Sequence, residues 1–134
     1  MGNSKKTMWI AVAVVAGMAL APVAYADTVY RSGRSKGMAM ITVEANSGED
    51  IWEVELAVLR GRVRAYRIPP GWFGAMEGPF MRWWTENGNY RIAAGSSLSG
   101  FGIKVTGRGW GTWRTYNGNA DFIDQGIIGL KGRL

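Results

Sequence analysis

The chain has no cysteine and no histidine. Without cysteine there are no disulfides, so a small exported domain of this composition must rest on its apolar core. Without either residue, zinc, haem and iron–sulfur sites lose their usual ligands. Nucleophile triads that depend on a histidine base are excluded as well. Only 4 of the 134 residues are proline. Helical patterning is also missing after the first two dozen residues: no apolar stripe at helical spacing persists beyond two turns.

What is present starts with a targeting segment. Lys5 and Lys6 precede an uncharged run from Met8 to Leu20, Pro22 breaks it, and Ala24-Tyr25-Ala26 puts small residues where a signal peptidase reads. Residues 1–26 therefore read as a cleavable signal peptide, with the mature chain starting at Asp27. The run is short for a membrane span, which takes about 20 residues. A periplasmic or extracellular location is expected, with no stable membrane insertion after cleavage. Lipidation is excluded twice over: there is no cysteine, and Lys6 stands where a myristoylation motif needs Ser or Thr.

Residues 27–37 are polar and basic and read as a loose lead-in; residues 38–134 suffice for one small domain. Removing the leader loses two of the 16 cations and none of the 10 acids, so the domain stays moderately basic, mainly through arginine. The 20 glycines are spread along the chain and separate short apolar runs. That is the punctuation of an all-β domain.

Ile51 to Leu59 is the clearest strand, with Trp52, Val54, Leu56 and Val58 on one face and Glu53 and Glu55 on the other. Arg60-Gly61-Arg62 reads as a hairpin loop, with Gly61 at positive φ and Val63 to Ile68 as the return strand. That register sets Leu56 opposite Tyr66, Val54 opposite Ile68 and Glu55 opposite Arg67. Further strands are expected at Met38 to Val43, Phe80 to Thr85, Leu98 to Val105, Thr112 to Tyr116 and Phe122 to Leu130, with Tyr90 to Ala93 a short edge segment. Seven to eight short strands with turn signals about every ten residues predict an antiparallel β-sandwich.

Ordered turn motifs sharpen the expectation. Ile68-Pro69-Pro70-Gly71-Trp72, Trp84-Thr85, Ile92-Ala93-Ala94-Gly95-Ser96-Ser97-Leu98-Ser99-Gly100-Phe101 and Trp113-Arg114-Thr115-Tyr116 follow in that order. The set resembles a loosely defined group of exported bacterial domains with PPGW, IxPGxSLxGF and WxTY motifs, some of them in proteins with a PEP-CTERM sorting tail. The resemblance spans about residues 40–128. It implies an immunoglobulin-like or cohesin-like sandwich without catalysis. The chain departs from that pattern at Ala94, where the group has proline, and in the tail Lys131 to Leu134, which has no sorting motif.

Candidate binding residues come from the tryptophans and arginines. Trp83 and Trp84 are adjacent, so on a strand one of them must leave the core. Trp72 follows a proline turn and Trp110 lies between glycines, so Trp72, Trp83 and Trp110 are the candidate exposed rings, suited to stacking on a glycan or to partner contact, while Trp52, Trp84 and Trp113 are expected in the core. Arg60, Arg62, Arg64 and Arg67 form the densest charge cluster; Arg62 and Arg64 are its candidate binding residues, facing an anionic surface or a solvated hairpin tip. Nucleic acid is not expected as a ligand for an exported protein.

Glu53 and Glu55 would sit about 7 Å apart on one face, but exposed carboxylates beside arginines have no reason for a raised pKa. No catalytic residue is assigned. Asn119, Asp121 and Asp124 lack the repeated oxygen donors of a calcium loop, so no metal or cofactor is assigned either. The function expected is non-enzymatic contact with an envelope or secreted protein or the extracellular matrix, the alternative being a carbohydrate-binding module.

Overall fold

The computed structural model describes residues 26–131. The proposed signal segment up to residue 25 and the last three residues lie outside the described residues.

Asp27 stands immediately before the first described strand. It is 2% exposed, and its carboxylate accepts from the Thr115 hydroxyl at 2.8 Å and the Ser47 amide at 3.1 Å. Its own amide donates to Asp124 Oδ2 at 3.0 Å. Strand β1 (Thr28–Ser35) follows at once. The expected loose lead-in is thus corrected to an edge strand. Only Val29 of its inward positions is a buried apolar residue, so the period-2 signal is faint. What holds β1 is its ladder with β2 (Met38–Glu44), from Thr28 opposite Glu44 to Ser35 opposite Met38.

The remaining strands are β3 (Glu53–Val58), β4 (Val63–Arg67), β5 (Phe73–Glu77), β6 (Phe80–Trp84), β7 (Ser97–Val105), β8 (Trp110–Tyr116) and β9 (Phe122–Gly129). All pair antiparallel, in two sheets ordered β1-β2-β7-β4 and β5-β6-β3-β8-β9. The all-β antiparallel sandwich expected from the sequence is what the chain forms. Among the described residues nine strands replace seven to eight because β1 and β5 give weak apolar signals. The expected edge segment at Tyr90 to Ala93 is instead the end of a short 3₁₀ turn, with Ile92 bridging Ile51.

The β3–β4 hairpin does not exist. Both edges of β3 are occupied, by β6 and by β8, so β4 crosses to the other sheet and pairs with β7. Glu55 lies opposite Arg82 and Arg114, and Arg67 opposite Gly102. The positive φ in the crossing loop belongs to Arg60 (φ 51), not to Gly61. Gly61 is required for a different reason: a Cβ there would lie 2.0 Å from the Thr106 carbonyl oxygen.

Between the sheets lie Ile41, Val43, Val54, Leu56, Met81, Ile103 and their neighbours, all buried. At the centre Phe101 receives two indoles edge-on, Trp72 at 5.2 Å and Trp83 at 5.4 Å between centroids. Burying an aromatic side chain of this size stabilises by several kcal/mol, on the order of 25 cal/mol per Å². With no disulfide available, the fold rests on this buried core and its ladders.

Candidate functional site

The candidate tryptophans separate. Trp72 is 6% and Trp83 1% exposed, so neither is a surface ring, and both assignments are corrected. Each satisfies its indole N–H inside: Trp72 donates to the Tyr90 carbonyl at 2.8 Å, Trp83 to the Arg67 carbonyl at 3.0 Å. The second bond ties β6 to β4 and so spans the two sheets. A buried indole is tolerated because that donor finds a partner. Trp110 alone of the three is exposed, at 53%. Trp113 is buried as expected, but Trp84 and Trp52 are only half-buried. Arg62 and Arg64 are both exposed, Arg62 in the crossing loop and Arg64 on β4. They do not share one strand face with Arg60, because the strand starts only at Val63.

The outer face of the five-stranded sheet carries what the sequence reading missed. Its registers line up three rows of side chains across β5, β6, β3, β8 and β9. One row runs Phe73, Trp84, Glu53, Tyr116, Phe122. The next runs Ala75, Arg82, Glu55, Arg114, Gln125, and the third Glu77, Phe80, Ala57, Thr112, Ile127. Large apolar groups therefore stand toward both edges of the face, and an alternating charged stripe crosses its middle. Phe80 is 59% and Ile127 69% exposed.

The polar stripe is pre-arranged. Arg82 donates to both Glu53 oxygens, at 2.6 and 3.3 Å, and its guanidinium carbon sits 4.2 Å from the Trp84 ring centroid. The Glu53 hydrogen bond pushes the Arg82 pKa up. Trp84 stacks on Phe73 at 5.7 Å. Tyr116 donates to Glu55 at 2.8 Å; burial first, then that bond, raises its pKa. Beside the stripe lies a concavity of about 760 Å³, open to solvent and lined by Ala75, Phe80, Arg82, Glu55, Thr112 and Arg114 among others. One sequence signal could have found this face. An arginine at 82 fixes strand parity, so Phe80 and Trp84 point out with it while Met81 and Trp83 point in.

Other polar groups are committed elsewhere. Asp124 accepts from the Asp27 and Gln125 amides, and Asn117 Oδ1 accepts from the amides of Asn119 and Asp121. Among the described residues, no group of three or more His, Cys, Asp or Glu side chains is gathered as a metal site.

No family model and no curated protein matches the sequence. Solved structures are similar in fold at low identity. One is a Nocardia farcinica protein with an immunoglobulin-like fold (TM-score 0.46, 11% identity, 74% of this chain and 80% of that one). Another is a non-cellulosomal cohesin from Archaeoglobus fulgidus (0.41, 11%, 80% and 92%). A third is a cohesin module of a family 33 glycoside hydrolase from Clostridium perfringens (0.41, 8%, 81% and 97%).

Proposed function

We propose that this chain is an exported, non-enzymatic contact module that docks another envelope or secreted protein on the outer face of its five-stranded sheet. The observation that carries the reading is the pair of apolar flanks on that face. Phe73 on β5 and Phe80 on β6 stand to one side, Phe122 and Ile127 on β9 to the other, all exposed, around the Arg82–Glu53 pair. Exposed apolar groups gathered on one face mark interaction sites more often than scattered ones do. Aromatic residues and arginine are also the types enriched where protein interfaces concentrate binding energy.

Export is supported by the order of the cationic start, the apolar run and the small-residue tripeptide in residues 5–26. No helix among the described residues is long and apolar enough to cross a membrane. The carbohydrate-binding alternative needs three exposed indoles, and two of them are in the core, so it is not retained.

The test uses the secreted chain immobilised beside a Phe73→Ser/Phe80→Ser variant, exposed to envelope and medium fractions of the producing cells. The reading expects a protein held by the wild type and released by the variant, with both equally stable. Identical retention by the two, or none by either, rejects it. Export is tested separately: the released protein should begin at Asp27 by N-terminal sequencing.

A further inference from the structure

A second surface lies at one pole of the sandwich, where four connections converge: the β1–β2 turn at Lys36–Gly37, the crossing loop 59–62, the β5–β6 turn at Gly78–Pro79, and the loop 106–109 between β7 and β8. The crossing loop and the loop 106–109 are locked together. Thr106 N–H donates to the Arg62 carbonyl at 3.0 Å and Leu59 N–H to the Trp110 carbonyl at 2.8 Å. A Cβ on Gly107 would lie 2.2 Å from the Arg60 carbonyl oxygen, so backbone meets backbone with no room for a side chain. Lys131 Nζ donates to the Gly107 carbonyl at 3.1 Å. The Lys104 ammonium reaches to 4.0 Å from where a Cβ of Gly37 would stand.

This platform presents Lys36, Arg60, Arg62, Lys104, Arg108 and Lys131, all exposed. No acid occurs on the segments that carry them, and none of the six forms an ion pair with another described residue. One acid stands at this pole: Glu77 ends β5, and the β5–β6 turn after it accepts from Val58 N–H through Pro79 at 2.7 Å and from Val63 N–H through Gly78 at 3.0 Å, but Glu77 forms no ion pair with a described residue. Most of the remaining acids lie toward the opposite ends of the strands, among them Glu44, Glu49, Asp50 and Glu86. Among the cations stand two apolar groups, Leu59 at 47% and Trp110 at 53% exposure, joined through their backbone hydrogen bond.

Like charges held on a rigid platform repel one another until an anionic surface screens them. A soluble polyanion would use the charges alone. A bilayer interface also uses the tryptophan and the leucine, since indole settles at headgroup depth. We propose that this pole docks on an anionic phospholipid membrane, with Leu59 and Trp110 entering the headgroup layer and the six cations resting on lipid phosphates. The contact is peripheral and reversible, of the kind that buried apolar area and basic charge jointly set. Trp110 shares the outward side of β8 with Arg114 and a pocket with Ile127, but the cations lie outside the protein-docking face, so the arginine substitutions below separate the two assignments.

The test is co-sedimentation of the secreted chain with vesicles of phosphatidylglycerol and phosphatidylcholine in equal parts, and with phosphatidylcholine alone. Binding to the anionic vesicles is expected to weaken with salt and to be absent on the neutral ones. Arg60→Gln and Arg62→Gln should each lower partitioning about five-fold, the usual weight of one cation near such a surface. Arg114→Gln, on the five-stranded face, should leave it unchanged. A blue shift of tryptophan emission should accompany binding and vanish in Trp110→Phe. Three results would overturn the proposal: no binding to anionic vesicles at low salt, equal binding to neutral ones, or binding that survives both arginine substitutions. A fourth would assign the pole to soluble polyanions instead: dextran sulfate binding as tightly as the vesicles, with no Trp110-dependent shift on either.

Discussion

Asp27 is where a single substitution should cost most for its size. Replacing it with alanine removes the only carboxylate that receives the Thr115 hydroxyl, itself 0% exposed, and the Ser47 amide. Hydrogen bonds to a charged group are worth about 1.5–3 kcal/mol each, and a buried donor left alone costs about 1–3 kcal/mol. Removing the carboxylate also relieves its own desolvation, which offsets part of the loss. The net expected is a loss of roughly 2–4 kcal/mol, a large part of the stability of a small domain. Urea unfolding of the chain from Asp27 onward reads it as a lower midpoint at unchanged m. Thr115→Val should cost less, roughly 1–2 kcal/mol, and the double variant should show the two to be coupled. If Asp27→Ala and Thr115→Val each cost under about 0.5 kcal/mol, or add independently, the reasoning fails. The proposed cleavage after Ala26 would turn the amide that Asp124 receives into an α-ammonium, so a chain starting at Asp27 should be more stable than one starting at Ala26. That gain should vanish in Asp124→Asn and fade as the pH rises past the usual α-amino range, about 7.7–8.0.

Three other outcomes follow from the geometry. Gly107→Ala combines a positive φ of 92° with the clash on the Arg60 carbonyl, so it should destabilise by roughly 2–4 kcal/mol in the same urea assay. Trp83→Phe should cost about 2–3 kcal/mol through lost packing and the orphaned Arg67 carbonyl, while Trp110→Phe stays within about 0.5 kcal/mol. Tyr116 has a raised folded pKa, so its stabilising contribution is fully present below the ordinary phenol value of about 10 and is lost as the pH rises through the folded value. An absorbance titration at alkaline pH should show one late tyrosine that is missing in Tyr116→Phe.

The sequence reading succeeded where a strand announces itself twice, by alternation and by flanking turns. Ile51 to Leu59 and Leu98 to Val105 do both, and the sandwich class follows from them. It failed where long-range pairing decides. Nothing local to Arg60-Gly61-Arg62 says whether the chain folds back or crosses to the second sheet; that depends on β6 and β8 having taken both edges of β3. β1 gives little local signal for a related reason, since this edge strand is held by its ladder with β2 and by Asp27, with Val29 its single buried apolar residue. The tryptophans were misassigned because a proline turn or a neighbouring ring says little about depth. Trp72 sits beyond such a turn and still reaches Phe101. Of the candidate binding residues, Arg62 in the crossing loop and Trp110 at the start of β8 lie at one pole through the Leu59–Trp110 backbone bond, a placement no spacing in the sequence encodes.

The central claim, a protein partner on the five-stranded face, is tested most directly by placing a photo-crosslinking amino acid in the producing cells at Phe80, and at Met40 on the opposite sheet as control. The account predicts a discrete protein adduct from position 80 that is missing from position 40. No adduct from position 80, or the same adducts from both, would contradict it.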